Sequence, residues 1–213
     1  MSAPQPALPY IWTTWISKLL AGDNSCEWAA WSKVNQGKVD AKNAADFDSW
    51  RIKHTALLQR ARKEFEAQEC QVLTEDQNWF RLTGKNAVLG GKPDLISIGD
   101  EFMICDVKSG QPKSSDRIQV MIYMYAVPLA MPQYKGRKFD GLVFYEDTHK
   151  IISAGAIDET FIQSLASLIK RVSSTTPAHR VPSVRECKMC DIPTERCDAR
   201  IETIEAQGVT DDF

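Results

Sequence analysis

Three stretches of the amino-acid sequence repeat apolar residues at helical spacing. The first covers residues 10–20, and the second surrounds Trp28 and Trp31 beyond a Gly-Asp-Asn-Ser turn. The third runs from about residue 44 to residue 68 and is rich in strong helix formers. The pattern therefore predicts two short helices followed by one long amphipathic helix.

The pattern changes after Cys70, where short β-prone runs alternate with turns. We predict strands at residues 79–82, 93–98 and 101–108, with a Gly-Asp turn at residues 99–100 joining the last two. These strands are expected to form a small antiparallel meander.

The remaining pattern predicts a helix, two strands and a second helix. The helix covers residues 118–129, the strands cover 141–145 and 151–156, and Asp158 caps a final helix that runs to Arg171. Ser114, Ser115 and Asp116 are the candidate N-caps of the first of these helices. Pro128 and Pro132 mark the end of that helix. This order of elements is that of a mixed α/β fold.

Composition favours a single soluble domain. The 213 residues are 43% apolar, which is enough for one substantial core. The chain has neither the roughly 18 consecutive apolar residues of a membrane helix nor a basic, apolar signal peptide. We expect a cytoplasmic protein with one domain over residues 1–213, made of a helical region (10–70), a core (71–172) and a C-terminal segment (173–213).

The charge balance does not by itself indicate nucleic-acid binding, because the formal net charge is -2. The basic residues are nevertheless gathered locally, whereas residues 202–212 are acidic. The two basic groups are Arg51, Lys53, Arg60, Arg62 and Lys63, and then Lys108, Lys113 and Arg117. A local basic groove and ordinary solvated faces are both compatible with these groups.

The segment GGKPDLISIGDEFMICDVKSG carries the clearest chemistry. Side chains alternate along a strand, so Asp106 and Lys108 share one face, about 7 Å apart along the strand, while Val107 points to the other face. Across a hairpin, Asp94 can approach the same face. Two carboxylates placed in this way can bind a hard divalent cation such as Mg²⁺ or Mn²⁺.

This arrangement suits phosphodiester hydrolysis. A bound divalent cation lowers the pKa of water and stabilises the charge that builds on a phosphate. Lys108 can orient or deprotonate the attacking water and neutralise phosphate charge. The alternative is that Asp94 is a turn residue and that Asp106 and Lys108 are an exposed strand pair.

Gln119 and Tyr123 lie four positions apart on the following helix and therefore share a face. The combination of Pro-Asp, Asp-x-Lys and Gln-x-x-x-Tyr resembles the RecB-like branch of the PD-(D/E)XK nucleases. The resemblance implies a restriction-endonuclease-like α-β-β-β-α-β core, in which helices flank a mixed central sheet. It also implies that Asp94, Asp106, Lys108, Gln119 and Tyr123 form the catalytic site.

In that family a histidine on an upstream helix often completes the metal site, and His54 is the matching residue here. The backbone carbonyl of Val107 completes the expected ligand set with His54, Asp94 and Asp106. Packing of His54 in the core is the alternative, in which case Glu64 or Glu66 would replace it as the ligand.

The six cysteines are better explained by metal binding or burial than by disulfides in an intracellular chain. Three are clustered as Cys187-x2-Cys190-x6-Cys197, and a thiolate site needs a fourth ligand. Spacing alone does not separate zinc from an iron-sulfur cluster. Burial as small hydrophobes is preferred for Cys70 and Cys105.

The cysteine layout resembles that of the CRISPR-associated exonucleases related to RecB, which have one cysteine before the nuclease core and three after it. Iron-sulfur nuclease subunits of some recombination complexes share this layout. The resemblance implies that Cys26 joins Cys187, Cys190 and Cys197 around a [4Fe-4S] cluster that ties the two ends of the chain together. One departure is that Glu27 and apolar residues follow Cys26, where the family has basic residues.

The family resemblance implies a metal-dependent deoxyribonuclease that acts on single-stranded or frayed DNA ends, in CRISPR adaptation or in recombination and repair. CRISPR integrase or recombination proteins are the expected partners. The alternative is a non-catalytic module of the same fold that binds DNA or a partner protein and carries a structural iron-sulfur or zinc site.

Overall fold

The structure is a computed structural model, and it describes residues 7–37, 45–201 and 203. Residue 44, at the start of the long predicted helix, and most of the acidic stretch at 202–212 lie outside the described residues. The helices are α1 (Thr13–Leu20), α2 (Glu27–Gln36), α3 (Ala45–Glu66), α4 (Ser114–Ala130), α5 (Glu159–Val172) and α6 (Val184–Met189). The strands are β1 (Tyr10–Trp12), β2 (Gln71–Thr74), β3 (Phe80–Thr83), β4 (Val88–Gly91), β5 (Leu95–Ile98), β6 (Phe102–Lys108), β7 (Asp140–Tyr145) and β8 (His149–Ile152).

The strands form two sheets. The larger sheet has five strands in the order β2-β5-β6-β7-β8, and it is mixed because β6 and β7 run parallel while the other pairs are antiparallel. The smaller sheet has the order β1-β4-β3, in which β1 runs parallel to β4. The expected α/β fold, with mixed sheets flanked by helices, is therefore confirmed.

Helices cover both faces of the larger sheet. On one face, α3 packs through Leu57, Ala61 and Phe65 onto a cluster of strand residues. Those strand residues are Leu95, Cys105, Val107, Leu142 and Phe144. On the other face, α4 packs onto Ile96, Ile104 and Val143, in a second cluster that also includes residues of α1 and α5. Alternation along β6 thus sends its side chains to α3 and α4 in turn.

Several predicted elements are confirmed. The structure contains α2, α3 and α5 close to the expected bounds, and the Asp158 carboxylate caps α5 by accepting a 2.8 Å hydrogen bond from Phe161 N–H. The hairpin of β5 and β6 is also as predicted. None of the helices among the described residues is long and apolar enough to cross a membrane.

Other predictions were wrong in detail, for reasons that involve distant parts of the chain. The predicted helix at residues 10–20 begins only at Thr13, because Tyr10–Trp12 pairs with β4 as a strand. The three-strand meander is not formed either, since β3 pairs with β4 in the smaller sheet. Strands β2 and β4 and the short helix α6 were not predicted.

Two boundaries also differ. Helix α4 begins at Ser114 rather than residue 118, with Lys113 at its N-cap, and it continues through Pro128. Burial of most of α4 outweighs the local effect of that proline. The last predicted strand, at 151–156, ends at Ile152 instead. A turn of 3-10 helix covers Ala154–Ala156.

Candidate functional site

Asp106 and Lys108 project from β6 toward α4. Asp106 is only 2% exposed, and Lys108 Nζ lies 2.6 Å from its Oδ2. Val107 points toward α3 instead and is 1% exposed. Strand alternation therefore places a buried aspartate and a half-buried lysine together on one face of the sheet.

Asp94 lies beside Asp106 at the open end of the β5-β6 hairpin, because the register pairs Leu95 with Cys105. The Asp94 Oδ2 atom accepts a 2.7 Å hydrogen bond from Val107 N–H. A backbone donor thus fixes the carboxylate of Asp94 next to that of Asp106.

Gln119 on α4 connects the groups of the site. Lys108 Nζ donates to Gln119 Oε1 at 3.1 Å, while Gln119 Nε2 donates to Asp106 Oδ1 at 3.1 Å and to the Tyr123 hydroxyl at 3.0 Å. Since an ammonium only donates and a carboxylate only accepts, these partners fix the orientation of the amide. The i, i+4 spacing of Gln119 and Tyr123 brings both side chains into one network.

His54 approaches the same site from α3. Its Nε2 lies 3.4 Å from Asp94 Oδ2, and its side chain is 14% exposed. Glu64 and Glu66, the alternative ligands, instead pair with arginines of their own helix at 3.7 and 2.7 Å. Of these three residues, the structure brings His54 to Asp94.

Burial and charge act against each other in this cluster. Burial raises the pKa of Asp106 to about 6, although the Lys108 ammonium opposes the shift. Burial lowers the pKa of Lys108, but the Asp106 carboxylate more than offsets this, so the pKa lies above its usual value. A contact with the Asp94 carboxylate raises the pKa of His54. The lysine is therefore a cation, and the buried carboxylate gains from further positive charge.

The donor set suits a hard divalent cation. Asp106 Oδ2 is buried and accepts no hydrogen bond of ordinary geometry, despite its ion pair with Lys108. Asp94 lies next to Asp106 in the hairpin and 3.4 Å from His54 Nε2, and oxygen ligands are those that Mg²⁺ and Mn²⁺ prefer. Within residues 7–37, 45–201 and 203, no three His, Cys, Asp or Glu side chains already stand in a ligating arrangement.

Asn78 is a site residue that sequence reasoning missed. It is fully buried, and its Nδ2 donates to the carbonyl oxygens of Leu73, Pro93 and Asp94 at 2.9, 3.3 and 3.5 Å. It thereby fixes the backbone that leads into β5 and presents Asp94. No spacing motif marks this asparagine, since its partners are brought together only by the fold.

Gly91 is a second site residue that sequence reasoning missed, although it lies in the segment that carries Asp94, Asp106 and Lys108. A Cβ at this position would lie 2.7 Å from Tyr123 Cε1 and 2.8 Å from Thr13 Oγ1. The glycine therefore allows the tyrosine of α4 to approach β4 closely. The double glycine before Lys92 was the only local signal of this approach.

The four cysteines assigned to a cluster line one cavity of about 520 Å³. Cys26 precedes α2, Cys187 lies within α6, and Cys190 and Cys197 follow α6. The buried side chains of Trp28, Trp31 and Ile192 pack behind three of these cysteines. Folding thus brings Cys26 to the same cavity as Cys187, Cys190 and Cys197.

The lining of this cavity has more basic than acidic groups. The basic groups are Lys18, Lys33, Lys113, Arg180, Arg185 and Arg200, and the acidic groups are Asp23, Glu186 and Asp191. Such an excess of positive charge suits an anionic group in the cavity, although burial raises the pKa of the Cys190 thiol. Cys70 and Cys105 lie elsewhere, in the cluster under α3, where Cys105 is fully buried.

Glu186 joins the two cysteine-bearing segments. Its carboxylate accepts hydrogen bonds from Ser25 N–H at 3.0 Å and Cys26 N–H at 3.2 Å. Glu27, which stands where the resemblance leads one to expect a basic residue, pairs with Arg171 of α5 at 2.6 Å. The residues around Cys26 are therefore held by α5 and α6.

The chain is similar to several solved structures. No curated protein sequence matches the chain. The solved structure of SSO0001 is similar, with a TM-score of 0.53 and 16% identity, and the match covers 94% of this chain and 90% of that one. An alkaline exonuclease (LHK-Exo) from Laribacter hongkongensis matches with a TM-score of 0.45 at 16% identity, over 78% of this chain and 90% of its own. The same enzyme in complex with dAMP matches with a TM-score of 0.45 and 16% identity, over 76% of this chain and 89% of its own.

The family model for the PD-(D/E)XK nuclease superfamily matches residues 22–198. The matched range contains the aspartates, lysine and glutamine described above, as well as the four cysteines that line the cavity. The chain belongs to the PD-(D/E)XK nuclease superfamily.

Proposed function

We propose that this protein is a divalent-metal-dependent deoxyribonuclease that hydrolyses phosphodiester bonds at single-stranded or frayed DNA ends. The observation that carries the proposal is the ion pair of buried Asp106 and half-buried Lys108, 2.6 Å apart and joined to α4 through Gln119. Taking an ion pair out of water has a desolvation cost that good geometry and further hydrogen bonds must offset. A hydrolytic site needs a carboxylate and an ammonium that are fixed in this way.

Asp94, Asp106, His54 and the backbone carbonyl of Val107 are the proposed ligands of Mg²⁺ or Mn²⁺. When bound, the cation supplies positive charge at the scissile phosphate and lowers the pKa of water. The residues themselves provide oxygen and nitrogen donors on a site that the sheet and α3 make rigid. Hydrogen bonds to Asp94 and Asp106 keep both carboxylates oriented before substrate arrives.

Lys108 is proposed to orient the attacking water and to neutralise charge on the phosphate. Its pKa lies above the usual value, so it carries a proton at neutral pH and acts through its charge and its hydrogen bonds. Gln119 holds the ammonium by accepting one hydrogen bond, which leaves other N–H donors for water or phosphate. Tyr123 in turn holds Gln119.

Cleavage of labelled single strands tests the proposal. We expect wild-type protein with Mn²⁺ to shorten the strands and EDTA to stop the reaction. Asp106→Ala and Lys108→Ala should reduce cleavage to background. Asp100→Ala is the matched control, since Asp100 is an exposed aspartate at the opposite end of the same hairpin. Cleavage by Asp106→Ala at the wild-type rate would overturn the assignment.

The alternative is a non-catalytic module of the same fold that binds DNA or a partner protein. The same assay separates the two functions, because a binding module retards labelled strands in a gel without shortening them. The network that holds the side chains of Lys108, Gln119 and Asp106 together favours the enzyme.

We also propose that Cys26, Cys187, Cys190 and Cys197 hold a [4Fe-4S] cluster. Four cysteines around one cavity with an excess of basic groups support an anionic thiolate cluster. The same ligand set could hold zinc, but the two are separated by colour, since an iron-sulfur protein is brown and a zinc protein is colourless. The proposed role of the cluster is to join the two ends of the chain.

The proposed pathway is either CRISPR adaptation or recombination and repair. Genes encoding a CRISPR integrase next to this gene would favour processing of DNA before its insertion into an array. Neighbouring phage or repair genes would favour recombination.

A further inference from the structure

Lys92 and Glu75 form an ion pair beside the candidate metal site. Lys92 Nζ lies 2.8 Å from Glu75 Oε2. The last pair of the ladder between β2 and β5 joins Thr74 to Leu95. One step beyond this pair, Glu75 follows β2 where Asp94 precedes β5. Lys92 is two residues before Asp94, which limits the distance between their Cα atoms to about 7 Å. Two separate segments thus bring a glutamate and a lysine to the same aspartate.

The backbone of Lys92 is held by the site itself. It is hydrogen-bonded to the Tyr123 hydroxyl, which also accepts from Gln119 Nε2 at 3.0 Å. The carbonyl oxygen of the next residue, Pro93, accepts a hydrogen bond from Asn78. The start of the Lys92 side chain is therefore fixed relative to the network around Gln119. Its flexible stem still allows the ammonium to change partner.

The ion pair lies closer to solvent than the metal ligands do. The side chains of Lys92 and Glu75 are 39% and 34% exposed, whereas those of His54 and Asp94 are 14% and 13% exposed. The pKa of Lys92 is raised, chiefly by its hydrogen bond to Glu75 and in smaller part by the charges of Glu75, Asp76 and Asp94. Lys92 is therefore a cation at the edge of the site.

This edge lysine is suited to binding a phosphate. A partly exposed ion pair contributes little to the stability of a fold, so stability alone does not account for the placement of this one. An ammonium has three N–H donors, and Glu75 takes one of them. A lysine binds phosphate as a compact point charge, and one next to Asp94 is placed for a strand that the site receives.

We propose that Lys92 binds the phosphate next to the scissile phosphate of a nucleic-acid strand, and that Glu75 holds the ammonium in position until the strand arrives. This inference rests on the proposed nuclease function, in which Asp94 and Asp106 belong to the site that receives the scissile phosphate. A phosphate contact fixes the position of the strand without reading a base. Lys92 thus contributes affinity and register but no sequence preference.

The salt dependence of binding tests this contact. Fluorescence anisotropy would follow a labelled single strand on Asp106→Asn protein, which is expected not to cleave it, over a series of KCl concentrations. Each phosphate contact on a single strand contributes about 0.7 to the slope of log binding constant against log salt concentration. Lys92→Gln should therefore weaken binding and reduce the slope by about 0.7, whereas Lys92→Arg should keep most of it. An unchanged slope in Lys92→Gln would overturn the inference.

Lys85→Gln is the matched control. Lys85 is an exposed lysine in the turn between β3 and β4, at the opposite end of the same hairpin from Lys92. Its removal changes the net charge of the protein by the same amount. The salt slope of Lys85→Gln should equal that of its parent. A reduction as large as that of Lys92→Gln would show that overall charge, and not a contact at Lys92, sets the slope.

Glu75→Gln distinguishes a phosphate contact from simple neutralisation of Glu75. If Lys92 binds phosphate, Lys92→Gln should reduce the slope by the same amount in the Glu75→Gln background. If Lys92 serves only to neutralise Glu75, its loss should have no effect in that background. Recovery of the parental slope and affinity in the double variant would therefore overturn the inference.

These outcomes are separate from those of the nuclease proposal. Cleavage by Asp106→Asn at the wild-type rate would reject the assignment of the metal site, and the same binding series in EDTA would still test Lys92. A normal slope in Lys92→Gln would reject the phosphate contact and leave the nuclease assignment in place. Circular dichroism of each variant verifies that the fold is retained.

Discussion

At the scale of single residues, the side chains around Asp106 depend on one another. Asp106 is buried, its Oδ1 accepts from Gln119, and its Oδ2 lies against Lys108. Gln119 is therefore a neutral group that contacts both charges of the pair, as well as Tyr123. Its proposed contribution is orientation of the charged groups rather than chemistry.

Gln119→Ala should lower kcat/KM of DNA cleavage without abolishing it. A hydrogen bond to a charged group contributes about 2 kcal/mol, which corresponds to roughly thirtyfold in rate. Steady-state kinetics on a labelled strand measure the change. Gln163→Ala on α5 is the control, because Gln163 is exposed and donates to Glu159 of its own helix. An unchanged kcat/KM in Gln119→Ala would contradict the orienting role.

Gly91→Ala should destabilise the fold by about 1–3 kcal/mol, because the new methyl group has no room between Tyr123 and Thr13. Urea unfolding measures the loss as a lower midpoint. Gly110→Ala is the matched control, since a Cβ there meets no atom within 4 Å and Gly110 has no positive φ. Equal stability of the two variants would show that β4 and α4 can separate at little cost.

At the scale of elements, α4 is fixed at its N-terminal end by a distant loop. Asp23, in the turn between α1 and α2, accepts a 3.0 Å hydrogen bond from Ser115 N–H. Asp116 accepts from Lys113 N–H at 2.9 Å and from the Tyr145 hydroxyl at 3.0 Å. Both carboxylates satisfy groups at the positive end of the helix that carries Gln119.

Asp23→Ala should reduce the free energy of unfolding by about 1 kcal/mol, which is the usual effect of removing a helix cap. Asp23→Asn should lose less, since its side-chain oxygen can still accept the hydrogen bond. Thermal or urea unfolding measures both changes. Asp147→Ala, at an exposed turn, is the control. A loss in Asp23→Asn as large as in Asp23→Ala would indicate that charge matters more than the hydrogen bond.

The elements that local pattern predicts are those whose partners are near in sequence. The β5-β6 hairpin and α5 follow from alternation, a turn and the Asp158 cap, all within short segments. The apolar residues of Tyr10–Trp12 fit the helical spacing of the segment that follows. This segment is nevertheless a strand, because it pairs with Val88 and its neighbours far along the chain. Long-range pairing of this kind leaves no local periodicity to read.

At the scale of the whole molecule, the segments around Cys26 and Cys187 close the chain on itself. The cysteine cavity, the Glu27–Arg171 ion pair and the hydrogen bond from Trp31 Nε1 to the Ser174 carbonyl at 2.7 Å all connect α2 with the C-terminal region. A cluster bound by cysteines from both segments would add a covalent constraint to these contacts.

If the proposed iron-sulfur cluster is bound there, Cys187→Ala or chelation of its iron should lower the melting temperature and bleach a brown absorbance. Cys70→Ser is the control, since Cys70 lies in the cluster under α3 rather than in the cavity. Differential scanning calorimetry and absorbance spectra follow the two effects separately. Full retention of the melting temperature in cluster-free protein would contradict the joining role.

The candidate site was predictable where it depends on motifs and not where it depends on folding. Asp106 and Lys108 share a face by alternation alone, and Gln119 and Tyr123 by helical spacing. The anchoring of Asp94 by Asn78 has no such signal, because the asparagine contacts carbonyls of two separate segments, at Leu73 and at Pro93–Asp94. The same is true of Glu186, whose partners lie at Ser25 and Cys26.

The turn at residues 22–26 contacts two distant parts of the chain. Asp23 accepts a hydrogen bond from the start of α4, and Glu186 accepts hydrogen bonds from the backbone of Ser25 and Cys26. Truncating the protein near residue 183 would remove Glu186 and so loosen this turn. The turn would then hold the start of α4, the helix that carries Gln119, less firmly, although α4 is far away in sequence. A shortened or split version of this chain should therefore keep the turn at residues 22–26 and the segment around Glu186 on the same fragment.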